Sequence, residues 1–175
     1  LKGQGIEVSS RLRIGDLLVE LQEAAADADL VLLCVPMGAM AAVAEEIAAV
    51  LKPGATVSDV GSVKGPILEA VAPFIPQGVH LIPGHPLAGT EHSGPEAGFA
   101  ELFENRWVIL TPAEDSDPEA VARLAECWTG CGAHVDTMDP AHHDLVLAVT
   151  SHVPHLIAYT MVGVADDMRR VTQSE

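Results

Sequence analysis

Short runs of branched apolar residues alternate with alanine-rich or amphipathic stretches along most of the chain. Runs of this kind, ended by proline, glycine or acidic residues, are typical of strands that are buried on both faces. They predict strands at residues 29–35, 55–59, 79–82, 107–110 and 133–138. Helical spacing of apolar residues predicts helices at 16–26, 37–51, 66–71 and 118–128. Strands that alternate with helices predict an α/β fold with a doubly wound parallel sheet.

The first residues contain glycines that do not fit a dinucleotide-binding loop. Gly3 and Gly5 neither follow a predicted strand nor open a helix, which is the context that such a loop requires. We interpret residues 6–8 as the second strand of a nucleotide-binding unit. The first strand and the glycine loop of that unit are therefore expected to be missing from this sequence.

The pattern changes at Asp139. An acidic residue followed by proline is a typical helix start, and a helical pattern then runs through most of the remaining chain, with a restart or kink expected at Pro154. No further strand is predicted there. We therefore expect two domains: a dinucleotide-binding domain over residues 1–138, and the start of an all-helical domain over residues 139–175.

One stretch, residues 83–96, is too rich in glycine and proline to continue any predicted strand. We predict a shaped loop that carries His85 before a proline, and in which Gly84 lets the main chain approach a ligand closely. Binding sites in doubly wound sheets lie at the carboxyl ends of the strands. Loops at 36–38 and 60–62 are predicted at the same edge, so we expect a site where the three loops meet.

Charge and composition exclude several classes of partner. The chain has 175 residues and a formal net charge of −16, which argues against nucleic acids and anionic membrane surfaces because both require a basic surface. No unbroken apolar run approaches the roughly 20 residues that cross a bilayer, and no signal peptide is recognised. Three cysteines without metal-ligand spacing indicate a reducing compartment. We therefore expect a soluble, cytoplasmic protein without a membrane partner.

Four motifs carry a resemblance to a known family. They are residues 58–65 (SDVGSVKG), 84–94 (GHPLAGTEHSG), 108–112 (VILTP) and 151–155 (SHVPH). In order and separation they resemble the prephenate dehydrogenase family, which includes arogenate and cyclohexadienyl dehydrogenases, over residues 27–166. The resemblance implies a Rossmann-like fold, a homodimer formed through the helical domain, and oxidative decarboxylation of prephenate or arogenate by NAD or NADP in tyrosine biosynthesis. The choice of cofactor and of substrate stays open.

The chemistry of this reaction makes His85 the candidate catalytic base. The substrate hydroxyl must lose its proton as hydride leaves the same carbon, and a neutral imidazole, with an ordinary pKa of about 6.5, can accept that proton at neutral pH. A histidine that only hydrogen-bonds its own loop is the alternative. The resemblance implies that Ser62 is the second catalytic residue and orients the nicotinamide and the substrate hydroxyl. An N-cap on the following helix is the structural alternative for Ser62.

The resemblance also implies the binding residues. His155 is expected to hold a carboxylate or keto group of the substrate, and His152 lies one helical turn earlier. Thr90, Glu91 and Ser93 are expected to fix the loop or contact the substrate, with Glu91 acting either as a gate or as a partner that positions a cation. The residues expected to contact the cofactor are Val35, Pro36, Met37, Asp59, Gly61 and Ser62. No metal is expected, because the two histidines lack a third ligand at a suitable spacing.

Other polar residues near the motifs have two interpretations each. Lys64 and Arg106 are the nearest cations, and each either faces the site or is a plain solvated side chain. The residues His142, His143 and Asp144 are interpreted as surface or interdomain residues.

Two other functions are weighed against the dehydrogenase. Another two-domain NAD(P)-dependent hydroxyacid dehydrogenase would place a lysine on the helix after the domain boundary, and residues 139–153 contain none. A non-catalytic binding or regulatory module would have no chemical need for His85, Ser62 and His155 together.

Overall fold

The structure is a computed structural model that describes residues 17–90, Gly94 and residues 97–172. The strand expected at 6–8 lies outside the described residues, and so do Glu91 and Ser93. The strands are β1 (Leu30–Leu33), β2 (Thr56–Asp59), β3 (His80–Leu81), β4 (Gly84–Pro86), β5 (Trp107–Leu110) and β6 (His134–Thr137). The α-helices are α1 (Leu17–Ala26), α2 (Met37–Ala48), α3 (Gly65–Val71), α4 (Pro118–Gly130), α5 (Pro140–Leu147) and α6 (Val153–Thr172).

Among the described residues, the strands form two three-stranded sheets, in the orders β1-β2-β3 and β4-β5-β6. Strands β1, β2 and β3 are parallel, and so are β5 and β6, whereas β4 is antiparallel to β5. Each predicted strand and helix in the described residues is present, with ends shifted by a few residues. The alternating elements and the parallel pairs confirm the predicted α/β fold class.

Residues 83–96 were predicted to form a loop, but Gly84–Pro86 within this stretch form strand β4. Residues 80–86 form one extended segment that joins the two sheets. In this segment Ile82 N–H donates to the Val57 carbonyl at 2.9 Å, and the Pro83 carbonyl accepts from the residue after β5, also at 2.9 Å. Pro86 is tolerated because β4 is the edge strand of its sheet, where a missing N–H is least harmful. The prediction of a loop here was wrong because proline content alone does not exclude an edge strand.

Gly84 brings β4 close to β2. A Cβ atom on this residue would lie 3.2 Å from the backbone oxygen of Asp59 and 3.3 Å from side-chain atoms of both Leu110 and Ser58. Gly84 is itself buried, so the close approach expected between this glycine and a ligand is instead an approach between two strands. A Cβ at this position would force the neighbouring atoms to shift, so glycine favours the close meeting of the two sheets.

Two apolar clusters hold the helices against the sheets. The first lies between strands β1 and β2 and helices α1, α2 and α3, and includes Met40, Ile47, Val57 and Val71. The second lies between β5 and α4, and includes Val108, Leu110, Leu124 and Trp128. These clusters fix the carboxyl ends of the strands, where the predicted site residues lie.

Beyond β6 the described chain is helical. Helix α5 follows Asp139, whose carboxylate accepts from the first free backbone N–H groups of the helix. The helix continues through a π-helical turn, Ala148–His152, into α6, and Val153 N–H donates to a carbonyl five residues earlier. Pro154 has no N–H and would clash with a regular preceding turn, so a widened turn accommodates it. The expected restart at Pro154 is therefore a π-turn within one continuous helical segment.

The helical segment carries many uncovered apolar side chains. The large exposed ones are Leu145, Val149, Val153, Leu156, Ile157, Tyr159, Met161, Val162, Val164 and Met168. Within the described chain, the helical segment Pro140–Arg170 is long enough to cross a membrane, and its most apolar 18-residue window has a mean hydropathy of 1.5 and is 6% buried. Length and composition are weak evidence for a membrane span, because a helix that packs on another protein segment has the same exposed apolar surface.

Candidate active site

A cavity of about 830 Å³ opens beside the loop that follows β2. Three parts of the chain form it: that loop, the segment from β4 onward, and the helical segment from the π-turn onward. The lining residues are Ser62, His85, Pro86, Leu87, Ala88, Gly89, Thr90, Arg106, Ser151, His152, His155 and Tyr159. The structure thus brings together every predicted catalytic and substrate-binding residue that it describes.

The lining also includes residues that the sequence reasoning missed or left open. Ser151 and Tyr159 were not predicted, although both lie on the helix face that carries His152 and His155. Each lies four residues from His155, a helical spacing that could have indicated both. Arg106 had two interpretations, and the structure places it at the cavity. It precedes β5, so its position became clear only from the pairing of β5 with β4.

His85 is half-buried, and its ring contacts a second imidazole. Its Nδ1 lies 3.0 Å from Nε2 of His143, with the two rings at 69° to each other. Burial lowers the pKa of His85 to about 4, electrostatic interactions with His143, Lys64 and His152 act in the same direction, and the carboxylate of Asp144 opposes them. The imidazole is therefore neutral across the physiological pH range and can accept a proton.

A second contact joins His143 to Asp144. Nδ1 of His143 lies 2.8 Å from Oδ1 of Asp144, which also accepts from Lys64 N–H at 2.7 Å, while Oδ2 accepts from Gly65 N–H at 2.9 Å. Burial by itself raises the pKa of Asp144, but these hydrogen bonds outweigh burial and hold the pKa below its ordinary value. Asp144 is therefore a carboxylate that accepts three N–H donors.

These contacts correct the interpretation of His143. Its side chain is 0% exposed and its ring contacts His85, so the surface interpretation of His143 is wrong. His142, its neighbour in sequence, is exposed.

The N-cap interpretation of Ser62 is also wrong. The residue that precedes helix α3 makes no side-chain cap, and the carboxylate of Asp144 accepts hydrogen bonds from the N–H groups of Lys64 and Gly65 at the start of this helix. Ser62 is exposed at the cavity instead.

Lys64 is not a solvated side chain. It is 0% exposed, and its Nζ lies 2.5 Å from Oδ2 of Asp59 and 2.5 Å from the Gly84 carbonyl oxygen. Burial lowers the pKa of Lys64, and the negative charge of Asp59 opposes that effect. Asp59 also accepts from the N–H groups of Gly61 and Gly84. This buried ion pair fixes the end of β2, the loop after it and the strand that carries His85.

The residues predicted to contact a cofactor divide between positions near the cavity and positions in the protein interior. Pro36 and Met37 are exposed at the carboxyl end of β1, and Met37 Cγ lies 3.5 Å from the position of a Cβ on Gly61, next to Ser62. Val35 packs against the first apolar cluster. The side chain of Asp59 is 3% exposed, and its contacts are with the protein itself. That burial does not support a direct contact between this carboxylate and a cofactor.

The sequence of this chain was compared with those of known proteins. Residues 4–137 match the nucleotide-binding domain of prephenate dehydrogenase, and residues 139–174 match its dimerization domain. A cyclohexadienyl dehydrogenase of Zymomonas mobilis is 43% identical over 164 residues, which are 93% of this chain and 56% of that protein.

Two crystal structures are also similar. The match to Aquifex aeolicus prephenate dehydrogenase, in complex with hydroxyphenyl propionate and NAD⁺, has a TM-score of 0.79 at 32% identity and covers 88% of this chain and 52% of that one. The match to Synechocystis arogenate dehydrogenase has a TM-score of 0.73 at 33% identity and covers 86% and 51%.

The parallel strands with flanking helices, followed by a helical segment, define a Rossmann-like nucleotide-binding protein. The imidazole of His85 lines the cavity at the carboxyl ends of the strands. This chain belongs to the prephenate dehydrogenase family. It spans about half the length of the relatives that it matches, between 51% and 56% for the three above.

Proposed function

We propose that the protein to which this chain belongs oxidises and decarboxylates prephenate or arogenate and transfers hydride to NAD or NADP. The product is 4-hydroxyphenylpyruvate from prephenate or tyrosine from arogenate, so the reaction belongs to tyrosine biosynthesis. The observation that carries this proposal is the neutral imidazole of His85 in one cavity with Ser62, His152 and His155. Family membership supports the same reaction.

The described residues fit the nicotinamide end of such a cofactor. Exposed Pro36 and Met37 follow β1, Gly61 follows β2, and Met37 lies against Gly61 next to the cavity residue Ser62. This is the carboxyl edge where doubly wound sheets bind nucleotides. NAD or NADP, when bound, supplies the hydride acceptor. We propose that Pro36, Met37, Gly61 and Ser62 place that acceptor beside the cavity.

The residues of the cavity then account for the proton transfer. His85 accepts the proton of the substrate hydroxyl while the C–H bond on the same carbon breaks and its electron pair leaves as hydride. Ser62 hydrogen-bonds that hydroxyl and orients it. The carboxylate on the opposite ring carbon then leaves as carbon dioxide, and the electron pair of the broken C–C bond completes the aromatic ring. The phenolate oxygen finally takes up a proton.

Positive and polar side chains at the cavity suit an anionic substrate. Arg106 is the one lining residue, within the described part of the chain, that carries a permanent positive charge. Its guanidinium can hold a carboxylate through two hydrogen bonds. We propose that Arg106, His152 and His155 bind the carboxylate and keto groups of the substrate, with Thr90 at the loop side.

The helical segment supports a proposal about assembly. We propose that residues 1–138 form the cofactor-binding domain and that residues 139–175 begin a helical domain through which two subunits pair in the cytoplasm. The exposed apolar surface of α6 supports this arrangement, because such a surface requires a covering partner. Sedimentation of the full-length protein tests it, and a monomer at micromolar concentration would contradict it.

One assay tests the proposed reaction. Full-length protein is titrated with NAD⁺ and with NADP⁺, and prephenate or arogenate is then added while absorbance of the reduced nicotinamide is followed. We expect at least one of the four combinations to turn over with release of carbon dioxide. Dinucleotide binding without turnover on either substrate would indicate a non-catalytic module. Turnover on a simple 2-hydroxyacid alone would indicate a hydroxyacid dehydrogenase.

A further inference from the structure

We propose that His143 is a positioning residue, which together with Asp144 fixes the tautomer of His85 so that the Nε2 lone pair of His85 is available to the cavity. The three side chains form a chain of hydrogen bonds that begins at the partly exposed carboxylate of Asp144, passes through the buried ring of His143 and ends at the cavity. This inference rests on the proposed function, because it explains how His85 is held ready to act as the base.

The direction of each hydrogen bond follows from its acceptor. The Asp144 carboxylate can only accept, so the proton between it and His143 belongs to Nδ1 of His143, at 2.8 Å. In the neutral ring Nε2 of His143 then carries a lone pair. That lone pair lies 3.0 Å from Nδ1 of His85, which must therefore carry the proton of this second bond. The unprotonated nitrogen of His85 is then Nε2.

Burial makes the opposite arrangement unfavourable. His143 is 0% exposed, so water does not replace a hydrogen bond that its ring loses. The other tautomer of His85 would place two lone pairs 3.0 Å apart. The other tautomer would lose the hydrogen bond between the two rings, and this loss favours the Nδ1–H tautomer over the Nε2–H tautomer by roughly tenfold or more. The Nδ1–H tautomer of His85 is therefore expected to dominate.

The same carboxylate also holds the loop that carries the second catalytic candidate. Asp144 accepts from the N–H groups of Lys64 and Gly65, which follow Ser62 by two and three residues. One side chain of the helical segment thus fixes both the orientation of the base and the position of the loop. We expect this segment to be required for an ordered site, in addition to any role in pairing subunits.

A spectroscopic experiment tests the tautomer without using activity. Full-length protein with ¹⁵N-labelled histidine is examined at neutral pH by long-range ¹H–¹⁵N correlation, and the His85→Asn variant assigns the His85 signals. We expect Nδ1 of His85 to be protonated and Nε2 to be unprotonated. A majority of the Nε2–H tautomer would overturn the inference.

Variants at two neighbouring positions test the role of His143. His143→Phe fills the same space but offers no acceptor, and we expect a mixture of His85 tautomers and a fall in kcat of roughly 10- to 100-fold with KM within a few fold. His143→Gln keeps an acceptor oxygen, and we expect it to retain most of the parent kcat. His142→Phe is the matched control on the exposed neighbour and should change neither quantity. Equal losses in the Phe and Gln variants would overturn the inference.

Failure of this inference is distinguishable from failure of the proposed function. An Nδ1–H tautomer in the unaltered protein, combined with full activity of His85→Asn, would disprove the catalytic role of His85. An Nε2–H tautomer, combined with an inactive His85→Asn, would disprove only the role of His143. If His143→Phe does not fold, the spectrum of the unaltered protein still decides the tautomer.

Discussion

The buried ion pair beneath the site leads to the most specific stability prediction. Lys64 is 0% exposed, and its Nζ lies 2.5 Å from Oδ2 of Asp59. At an effective dielectric constant of about 20, two unit charges at this separation attract by about 7 kcal/mol. Lys64→Met removes that attraction but leaves Asp59 its N–H donors, Gly61 and Gly84. We therefore expect the free energy of unfolding to fall by about 3–5 kcal/mol, as is usual when one partner of a buried pair is removed.

Urea unfolding of the full-length protein, followed by tryptophan fluorescence, measures this loss. Trp128 is buried in the second apolar cluster, so its emission reports on the same domain. Lys52→Met is the matched control, because Lys52 pairs with Asp29 at 2.7 Å on the surface, where solvent screens the attraction. We expect the control to unfold close to the parent. A midpoint for Lys64→Met equal to that of the control would refute the burial of this lysine.

Three further outcomes are expected. His85 must be neutral to accept a proton, and its pKa is lowered to about 4. In a pH profile, kcat/KM should therefore stay level as pH falls through 6.5 and decline only near pH 4. A decline of kcat/KM that begins near pH 6.5 would contradict this. Arg106→Gln should raise KM by about 10- to 100-fold with little change in kcat, since a charged hydrogen bond to the substrate is lost. Steady-state kinetics measure both quantities, and an unchanged KM would contradict this role of Arg106. Gly84→Ala should destabilise the fold by about 1–3 kcal/mol because its Cβ would press on the Asp59 backbone, whereas thermal unfolding of Gly38→Ala, an open helical position, should show no loss.

The strands and helices of the described residues could be predicted because their signals are local. A run such as residues 29–35 is apolar, branched and ended by proline, and these features are visible without knowing the partner strands. Strand β4 could not be found in this way. Its three residues include glycine and proline, and its ladder depends on β5, which lies more than twenty residues away in the chain.

The candidate site was likewise predictable from the sequence only in part. His85, Ser62 and His155 were found from motifs, and the structure places all three at one cavity. Lys64 was left open because a lysine after a turn is usually solvated, and its burial depends on Asp59 five residues earlier and on the carbonyl of β4.

His143 was the least visible of these residues. It follows an exposed histidine on a helix start, a pattern that indicates a surface position. The signal that could have found it is its spacing of four from Leu147, because these are the two buried residues of α5. That spacing places His143 on the buried face of α5, although it does not indicate which partner lies there.

The central claim is that His85 removes the substrate proton while hydride leaves, and turnover of the His85→Asn variant of the full-length protein tests it most directly. With the cofactor and substrate that support turnover of the parent, we expect kcat to fall by about 10²- to 10⁴-fold while dinucleotide binding is retained. A kcat within a few fold of the parent would contradict the account.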